Sequence, residues 1–272
     1  MKVDRASQLS ALEGIAHGFF GRRGGVSDGP FTSLNVSLRN ADDRAHALEN
    51  RRRIAASFGA DPEDLAAARQ VHGIHVHRVE RAWGSGEPVE ADALMTTIPG
   101  IVLGVTTADC GPILLADPGV PVVAAVHAGW RGALDGIVEA VVAHMVTAGA
   151  STDTIVAAVG PCIARRSYEV GREFLDRFAT SDPSFVRHFD VPADGDTAGT
   201  LHFDLSGFLE ARLRAAGLGR VERIERDTYA LADDFFSFRR TTHQGGGPFG
   251  LQLSAIVIEA AKTLQGNSPA SA

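Results

Sequence analysis

Lysine is almost absent from this 272-residue sequence, since only Lys2 and Lys262 are present and arginine carries nearly all the positive charge. The formal net charge is −7 and the sequence pI is about 5.8. Proteins that bind duplex nucleic acid rely mainly on clustered lysine and arginine side chains. We therefore expect no nucleic-acid partner for this chain.

Cysteine is equally scarce, because Cys110 and Cys162 are the only two in the sequence. Two cysteines are too few for a disulfide-stabilised scaffold. Residues 1–20 also lack the basic start, the long apolar segment and the small-residue cleavage site of a signal peptide. These features predict a cytoplasmic protein with reduced thiols, in which a cysteine is a candidate metal ligand or nucleophile.

Long apolar runs are missing as well. A membrane-spanning helix needs about 20 nearly uninterrupted apolar residues, whereas the most apolar segment, 101–129, contains Asp109, Asp117 and three prolines. We therefore expect no membrane partner. With 44% hydrophobic residues over this length, the chain has enough apolar side chains to form a sizeable core.

Apolar and glycine patterns predict strands and helices that alternate along the chain. Helices are predicted over 42–58, 131–148, 169–178 and 204–216, and strands over 17–20, 71–79, 101–106, 120–126, 155–159, 221–224 and 253–258. Such interleaving predicts a single α/β or α+β domain over 1–264. The small and polar residues 265–272 predict a flexible C-terminal tail.

Three predicted turns carry soft metal ligands: 70–73 with His72, 106–110 with Cys110, and 126–132 with His127. Cys110 and His127 each end an apolar run, so neighbouring strand ends could bring their side chains together. One cysteine and two histidines form a zinc set of the catalytic type, in which the fourth coordination position is left for water. Zinc would lower the pKa of that water towards about 7.

Two glycine-containing segments are candidate anion sites. The turn 129–132 begins the predicted helix 131–148, and its backbone N–H groups could hold phosphate. Arg22 and Arg23, in the glycine-rich segment 21–29, could supply a second anion contact.

Other interpretations of these residues remain open. The sequence contains no HxxxH, CxxC or HExxH motif, so spacing alone indicates a metal site only weakly. Cys110 or Cys162 could be a buried small hydrophobe. His75 or His77 could provide a fourth protein ligand and close the metal site, as in a non-enzymatic structural or metal-buffering domain.

Ordered motifs resemble the YfiH or laccase-domain family over residues 14–258, nearly the whole chain. They include HGFFGRRGGVSDGPFTSLNVS, QVHG, ADALMTT, LGVTTADCGPILLAD, VAAVHAGWRGALDGIVEAVV, AVGPCI and DFFSFRR. The resemblance implies one domain with α/β/β/α layers and mixed sheets, also likened to the catalytic domain of cytotoxic necrotizing factor toxins. It further implies a zinc site formed by His72, Cys110 and His127.

The family resemblance also implies activity on purine nucleosides. The implied reactions are phosphorolysis of adenosine, inosine, guanosine and methylthioadenosine, and hydrolytic deamination of adenosine. Zinc-bound hydroxide would attack purine C6 in deamination, and phosphate would attack ribose C1′ in phosphorolysis. Candidate roles are proton transfer for Asp109, substrate binding for Gln70 and Asn35, and phosphate binding for Arg22, Arg23 and Arg240.

The sequence departs from the family after FFSFRR, where a Gly-Arg pair is common and this chain has Gly250-Leu251. The missing guanidinium removes an anion contact or an ion pair, for which Arg239 or Arg240 could compensate. We expect nucleoside and phosphate as small-molecule partners and a monomer or weak homodimer as the assembly.

Two alternative activities would use the same three residues. One is a peptidoglycan-editing amidase acting on UDP-muramoyl-amino acid precursors, with Cys110 or zinc-bound water as nucleophile. The other is copper-dependent polyphenol oxidation, with copper instead of zinc in the thiolate–imidazole site. Multicopper oxidases use several paired HxH motifs, and only His75-Val76-His77 has that form here.

Overall fold

A computed structural model describes residues 1–190 and 201–260 of the chain. The predicted tail, 265–272, lies outside the described residues. The helices are α1 (Ser7–Ser10), α2 (Arg44–Ala56), α3 (Trp130–Asp135), α4 (Ile137–Thr147), α5 (Arg172–Ser181), α6 (Leu205–Ala215) and α7 (Phe238–His243). The strands are β1 (Val3–Asp4), β2 (Ile15–Phe20), β3 (Leu65–Ala67), β4 (Val76–Arg78), β5 (Ala93–Thr96), β6 (Val102–Thr107), β7 (Gly111–Asp117), β8 (Val122–Ala128), β9 (Val156–Val159), β10 (Glu169–Val170), β11 (Phe189–Asp190), β12 (Leu201–Phe203), β13 (Arg220–Arg223) and β14 (Gln252–Ile258).

Two large mixed sheets form the centre of the fold. One has the strand order β1-β2-β14-β6-β3, and the other has the order β13-β9-β7-β8-β5-β4. Most neighbouring strands are antiparallel, but β3 runs parallel to β6, β4 to β5, and β13 to β9. A third, small sheet has the strand order β10-β12-β11.

Alternating side chains on the central strands divide the core into layers. In β8, Val123 and Ala125 belong to the apolar cluster shared by both large sheets, whereas Val122, Ala124 and Val126 pack in the cluster formed with α4 and α6. On the opposite side, Ile54 of α2 packs against outward-facing residues of β6 and β14. This arrangement confirms the predicted α/β/β/α fold with mixed sheets.

Most predicted elements are present, with ends shifted by one to three residues, but three predictions need correction. The predicted helix 131–148 is two helices, because Gly136 has a φ of 107° and ends α3 before α4 begins. The predicted strand 71–79 is reduced to β4, since residues 71–73 form a turn bound to a buried carboxylate. In the predicted helix 169–178, residues 169–170 form β10 and α5 begins only at Arg172.

Among residues 1–190 and 201–260, no helix combines the length and the apolar character needed to cross a bilayer.

The break at Gly136 is testable, because its left-handed backbone is unfavourable for a residue with a Cβ atom. We expect Gly136→Ala to lower the free energy of unfolding by about 1 kcal/mol. Gly219 is the matched control, since it is exposed, has no positive φ and leaves open space around an added Cβ. Gly219→Ala should stay within about 0.5 kcal/mol of the parent in urea denaturation. Equal stability of both variants would contradict this account of the helix break.

Candidate metal centre

The three candidate ligands come from turns and strand ends that the six-stranded sheet brings together. Cys110 immediately precedes β7, and His127 is the penultimate residue of β8, opposite Pro112 of β7. The 17-residue interval between them is therefore a strand, a turn and a return strand, as the sequence predicts. His72 reaches the same place from the turn between β3 and β4.

The ligand atoms of His72, Cys110 and His127 all lie within 4.8 Å of one another. The Sγ atom of Cys110 is 4.0 Å from Nε2 of His72, and the two imidazole rings meet edge to face with centroids 4.8 Å apart. In tetrahedral zinc coordination, such atoms stand about 3.4 to 3.6 Å apart. The observed cluster is slightly wider, so a small inward movement of the side chains would suffice to hold an ion.

Asp92, directly before β5, holds two of the ligands in place. Its carboxylate accepts a hydrogen bond from Nδ1 of His127 at 2.8 Å, and also accepts the backbone N–H groups of residues 71, 72 and 73 at 2.8 to 3.2 Å. Its backbone carbonyl accepts the N–H group of His127. Because Nδ1 of His127 is engaged, its Nε2 atom is the one available to a metal, which is the usual carboxylate–histidine arrangement of zinc sites.

Asp109 fixes the turn that presents Cys110. It is buried, adopts a φ of 92°, and its carboxylate accepts hydrogen bonds from Oγ1 of Thr228, Oγ of Ser237 and the backbone N–H of Arg239 at 2.6 to 2.9 Å. Burial raises the pKa of Asp109, although these hydrogen bonds oppose the rise. The structure therefore ties this carboxylate to the segment 228–239.

Charges within the cluster favour a thiolate. Burial opposes ionisation of Cys110, but the neighbouring imidazoles of His127 and His72 lower its pKa to about 6. Burial likewise opposes protonation of His127, yet the charge of Cys110 and the hydrogen bond to Asp92 raise its pKa to about 9. A thiolate is the form in which cysteine binds metals.

Close approach of the backbone completes the cradle. A Cβ atom added to Gly129 would lie 2.9 Å from Cδ2 of His72 and 3.1 Å from Sγ of Cys110. Only glycine leaves room for both ligands at this position without movement. The donor set, its spacing and this cradle together fit a zinc or copper ion.

His75 and His77 do not join the cluster. Within the described residues, the group of neighbouring metal-ligating side chains contains His72, Cys110 and His127 only. Nδ1 of His75 contacts the carbonyl oxygen of Glu90 at 2.8 Å, and His77 packs edge to face against Trp83. Cys162 is also outside this group, and burial raises the pKa of its thiol.

A cavity of about 730 Å³ opens beside the cluster. This volume is within the usual range for small-molecule sites. Its wall contains all three candidate ligands, Gln70, residues 106–108, the segment 83–88, and the side chains of Arg39, Arg44, Arg51, Arg69, Phe238, Phe249 and Leu251. The cluster of His72, Cys110 and His127 thus faces a space that can admit a small molecule.

Among the predicted binding residues, Gln70 lies in this wall. Its amide group exchanges hydrogen bonds with the backbone of Thr106 at 2.7 and 2.8 Å, so it joins the turn 70–73 to the end of β6. Asn35 is fully buried, where it bonds Asn40, Asp42 and the backbone of Leu251.

The structure does not bring the three predicted phosphate-binding arginines into the cavity wall. Arg22 donates to the carbonyl oxygens of Thr32 and Ala232, and Arg23 pairs with Asp233 and Asp234. Arg240 donates to three carbonyl oxygens, those of Thr228, Tyr229 and Phe235. Their guanidinium groups cross-link loops, and the turn 129–132 is likewise not part of the wall.

Leu251 lines the cavity, but neither neighbouring arginine replaces a guanidinium there. Arg239 donates to the carbonyl oxygen of Glu169 and stacks over the Tyr168 ring at 5.2 Å, and Arg240 faces the three carbonyls. The expected compensation is therefore not observed at these two positions.

Sequence reasoning missed Asp92 and the arginines of α2. Asp92 belongs to the motif ADALMTT, and its signal was an acidic residue immediately before a short apolar strand. Arg44 and Arg51 are seven residues apart, a spacing that puts both on one face of a helix.

Residues 16–259 match the family model described as multi-copper polyphenol oxidoreductase laccase. The chain belongs to this family. A purine nucleoside phosphorylase of Deinococcus radiodurans is 39% identical over 234 residues, which are 85% of this chain and 86% of that protein. Adenosine deaminase RL5, from an unknown prokaryotic organism, is 34% identical over 92% of this chain and 97% of its own length.

A solved structure agrees with this assignment. The crystal structure of the YfiH protein of Bacillus licheniformis superposes with a TM-score of 0.82, at 29% identity, over 90% of this chain and 93% of that one. The single-domain mixed α/β architecture is therefore that of this laccase-domain family.

The position of Asp92 leads to a prediction about metal affinity. In Asp92→Asn, an amide N–H₂ group would face N–H groups that now donate hydrogen bonds to the carboxylate. We therefore expect zinc to bind about tenfold to a hundredfold more weakly. Asp117→Asn is the matched control, because Asp117 is equally buried at the far end of β7, where it caps Ser151 and Thr154. Titration against a competing chelator measures both affinities. Parental zinc affinity in a folded Asp92→Asn variant would contradict the positioning role.

Proposed function

We propose that this chain is a zinc-dependent purine nucleoside enzyme, which phosphorolyses adenosine, inosine, guanosine and methylthioadenosine and deaminates adenosine. The observation that carries the proposal is a set of one cysteine sulfur and two imidazoles, without a fourth protein ligand in the described cluster, at the wall of a cavity. The names of its relatives, purine nucleoside phosphorylase and adenosine deaminase, support the same general activity.

The remaining walls of the cavity suit a purine nucleoside. Trp83, Phe238 and Phe249 offer aromatic surface, and the Phe238 side chain is 53% exposed and tilted against Phe249 at 5.3 Å between centroids. Exposed aromatic rings in a cavity are suited to stacking on a flat heterocyclic base. A purine base stacked on this aromatic surface would have its ribose within the same cavity.

The residues around the metal position have distinct tasks in this proposal. Bound zinc would supply a Lewis acid and a lowered pKa for coordinated water. Asp92 holds His127 with Nε2 directed to the ligand cluster, and Gln70 keeps the turn of His72 fixed against β6. The carboxylate of Asp109 accepts three hydrogen bonds, so its role in this proposal is to position Cys110 rather than to carry a proton.

A second candidate function is favoured by the same cluster and the size of the cavity. Cys110 lies between two imidazoles, an arrangement that also suits a nucleophilic thiol, and 730 Å³ admits a substrate larger than a nucleoside. This candidate is the amidase acting on UDP-muramoyl-amino acid precursors. A copper ion in the same site would instead give the polyphenol oxidation that the family description names.

The metal ligands provide the direct test of the proposed function. We expect His127→Ala to lose both bound zinc and the phosphorolysis of inosine, because one of three ligands is removed, with kcat/KM reduced at least a thousandfold. His75→Ala is the matched control, since His75 is a neighbouring exposed histidine outside the cluster. It should keep zinc and activity. Metal analysis, circular dichroism and chromatography of the purine products measure zinc, folding and turnover.

The substrates decide between the candidates. The parent protein is incubated separately with inosine and phosphate, with adenosine, with UDP-muramoyl-serine, and with a phenol and copper. Turnover of UDP-muramoyl-serine alone would establish the amidase and overturn the proposal. Phenol oxidation that persists in Cys110→Ala would detach that activity from this site. Loss of zinc in His75→Ala would indicate a closed structural site instead.

A further inference from the structure

The cavity beside the metal cluster carries a concentration of positive charge that the acidic chain as a whole does not. Four arginines line it, at positions 39, 44, 51 and 69, in a protein of net charge −7. Arg69 is neutralised by an ion pair with Glu90. Within residues 1–190 and 201–260, the other three form no ion pair with a carboxylate.

One hydrogen bond holds the guanidinium of Arg51 and leaves its two terminal nitrogens available. Its Nε atom donates to the carbonyl oxygen of Val36 at 2.8 Å, and its two terminal nitrogens have no hydrogen-bond partner in the described part of the chain. The carbonyl contact orients the planar guanidinium, so less conformational freedom would be lost when the terminal nitrogens bind a ligand. Two adjacent N–H₂ groups in a fixed plane match the oxygens of a phosphate.

Arg44 adds a second charge on the same face of α2. The two residues are separated by two helical turns, and both side chains reach the cavity, whereas Ala47, Asn50 and Ile54 form the buried face of the helix. Burial, followed by the charge of Arg44, lowers the pKa of Arg51 to about 10. Two cations that repel each other beside an open cavity are stabilised by an anion that contacts both.

The third arginine and one acidic side chain complete the surroundings. Arg39 is exposed at the end of the segment 37–39, and this segment and the segment 83–88 both line the cavity. Glu87 is the carboxylate in that segment, and it forms no ion pair with any of the three arginines. The balance of charge at this part of the wall is therefore positive.

We propose that Arg39, Arg44 and Arg51 form a binding site for a phosphate dianion. In the proposed phosphorylase reaction, on which this role rests, the ligand is either inorganic phosphate as co-substrate or a phosphate ester carried by the substrate. With inosine, an oxygen of hydrogen phosphate bonds to ribose C1′ as the C1′–N9 bond breaks. The bonding electron pair leaves with hypoxanthine, and the proton of hydrogen phosphate ends on that base.

Phosphate binding to the zinc-loaded protein is the first measurement. Isothermal titration with inorganic phosphate should give a Kd at least tenfold higher for Arg51→Gln and for Arg44→Gln than for the parent. Arg44 is exposed, so its variant tests the site even if loss of the contact to Val36 impairs folding of Arg51→Gln. Arg52→Gln is the matched control, because Arg52 is on the same helix, pairs with Glu49 and does not line the cavity. It should bind phosphate as the parent does.

Steady-state kinetics distinguish the two sources of phosphate. If inorganic phosphate is the ligand, its KM in inosine phosphorolysis rises at least tenfold in Arg44→Gln, and the ratio of phosphorolysis to adenosine deamination falls, because deamination consumes water. If a substrate ester is the ligand, the KM of inosine 5′-monophosphate rises and that of inorganic phosphate does not.

Unchanged phosphate affinity in Arg44→Gln and in a folded Arg51→Gln would overturn the site. If instead the parent binds phosphate, the two variants do not, and no nucleoside is turned over, the site stands and the proposed function fails. The two inferences can therefore fail separately.

Discussion

The carboxylate of Asp92 is the contact on which the candidate metal centre depends. A fully buried carboxylate is unfavourable unless hydrogen bonds replace its water, and here four N–H groups do so. Burial raises its pKa, but the hydrogen bonds from His127 and from the turn 71–73 outweigh that effect, so the pKa lies below its usual value. One charge thereby joins a strand that supplies one ligand to a turn that supplies another.

The two turns that present His72 and Cys110 each contain one residue with a strained backbone. His72 and Asp109 both have positive φ values, of 62° and 92°, which cost about 1 to 3 kcal/mol for residues other than glycine. Each is compensated locally: the backbone of His72 is bound by Asp92, and the side chain of Asp109 is bound by the segment 228–239. His72 and Cys110 therefore project from turns that several hydrogen bonds hold in place.

Local patterns in the sequence predicted the alternation of strands and helices and the turns that carry the three candidate ligands, whereas the α/β/β/α layers and the zinc set were implied by the resemblance to the laccase-domain family. The apolar run 120–126 and the position of His127 at its end are properties of neighbouring residues. The tasks of the arginines were not predictable, since the N–H groups of a guanidinium donate to phosphate oxygens and to backbone carbonyl oxygens alike. Arg22 and Arg240 both donate to carbonyls, and only the fold decides this. The expected anion contact at the glycine-rich segment 21–29 also depended on the fold, because Asn50, distant in sequence, accepts the backbone N–H of Val26 and donates to Oγ of Ser27.

In the two proposals taken together, one cavity serves two reactions that share a nucleoside but differ in their nucleophile. Both reactions need the purine and the ribose in one place, which the aromatic wall would provide, but phosphorolysis consumes a phosphate anion and deamination consumes water activated at the metal. A metal cluster of three side chains lies at one part of the wall, and arginines from α2 lie at another. Since α2 packs on the outer face of the five-stranded sheet, whereas His127 lies in β8 and Cys110 directly precedes β7 of the six-stranded sheet, the two parts rest on different layers of the fold. Substitutions in α2 could therefore alter the use of phosphate without disturbing the ligand cluster, so relatives with the same three ligands need not share one preferred reaction.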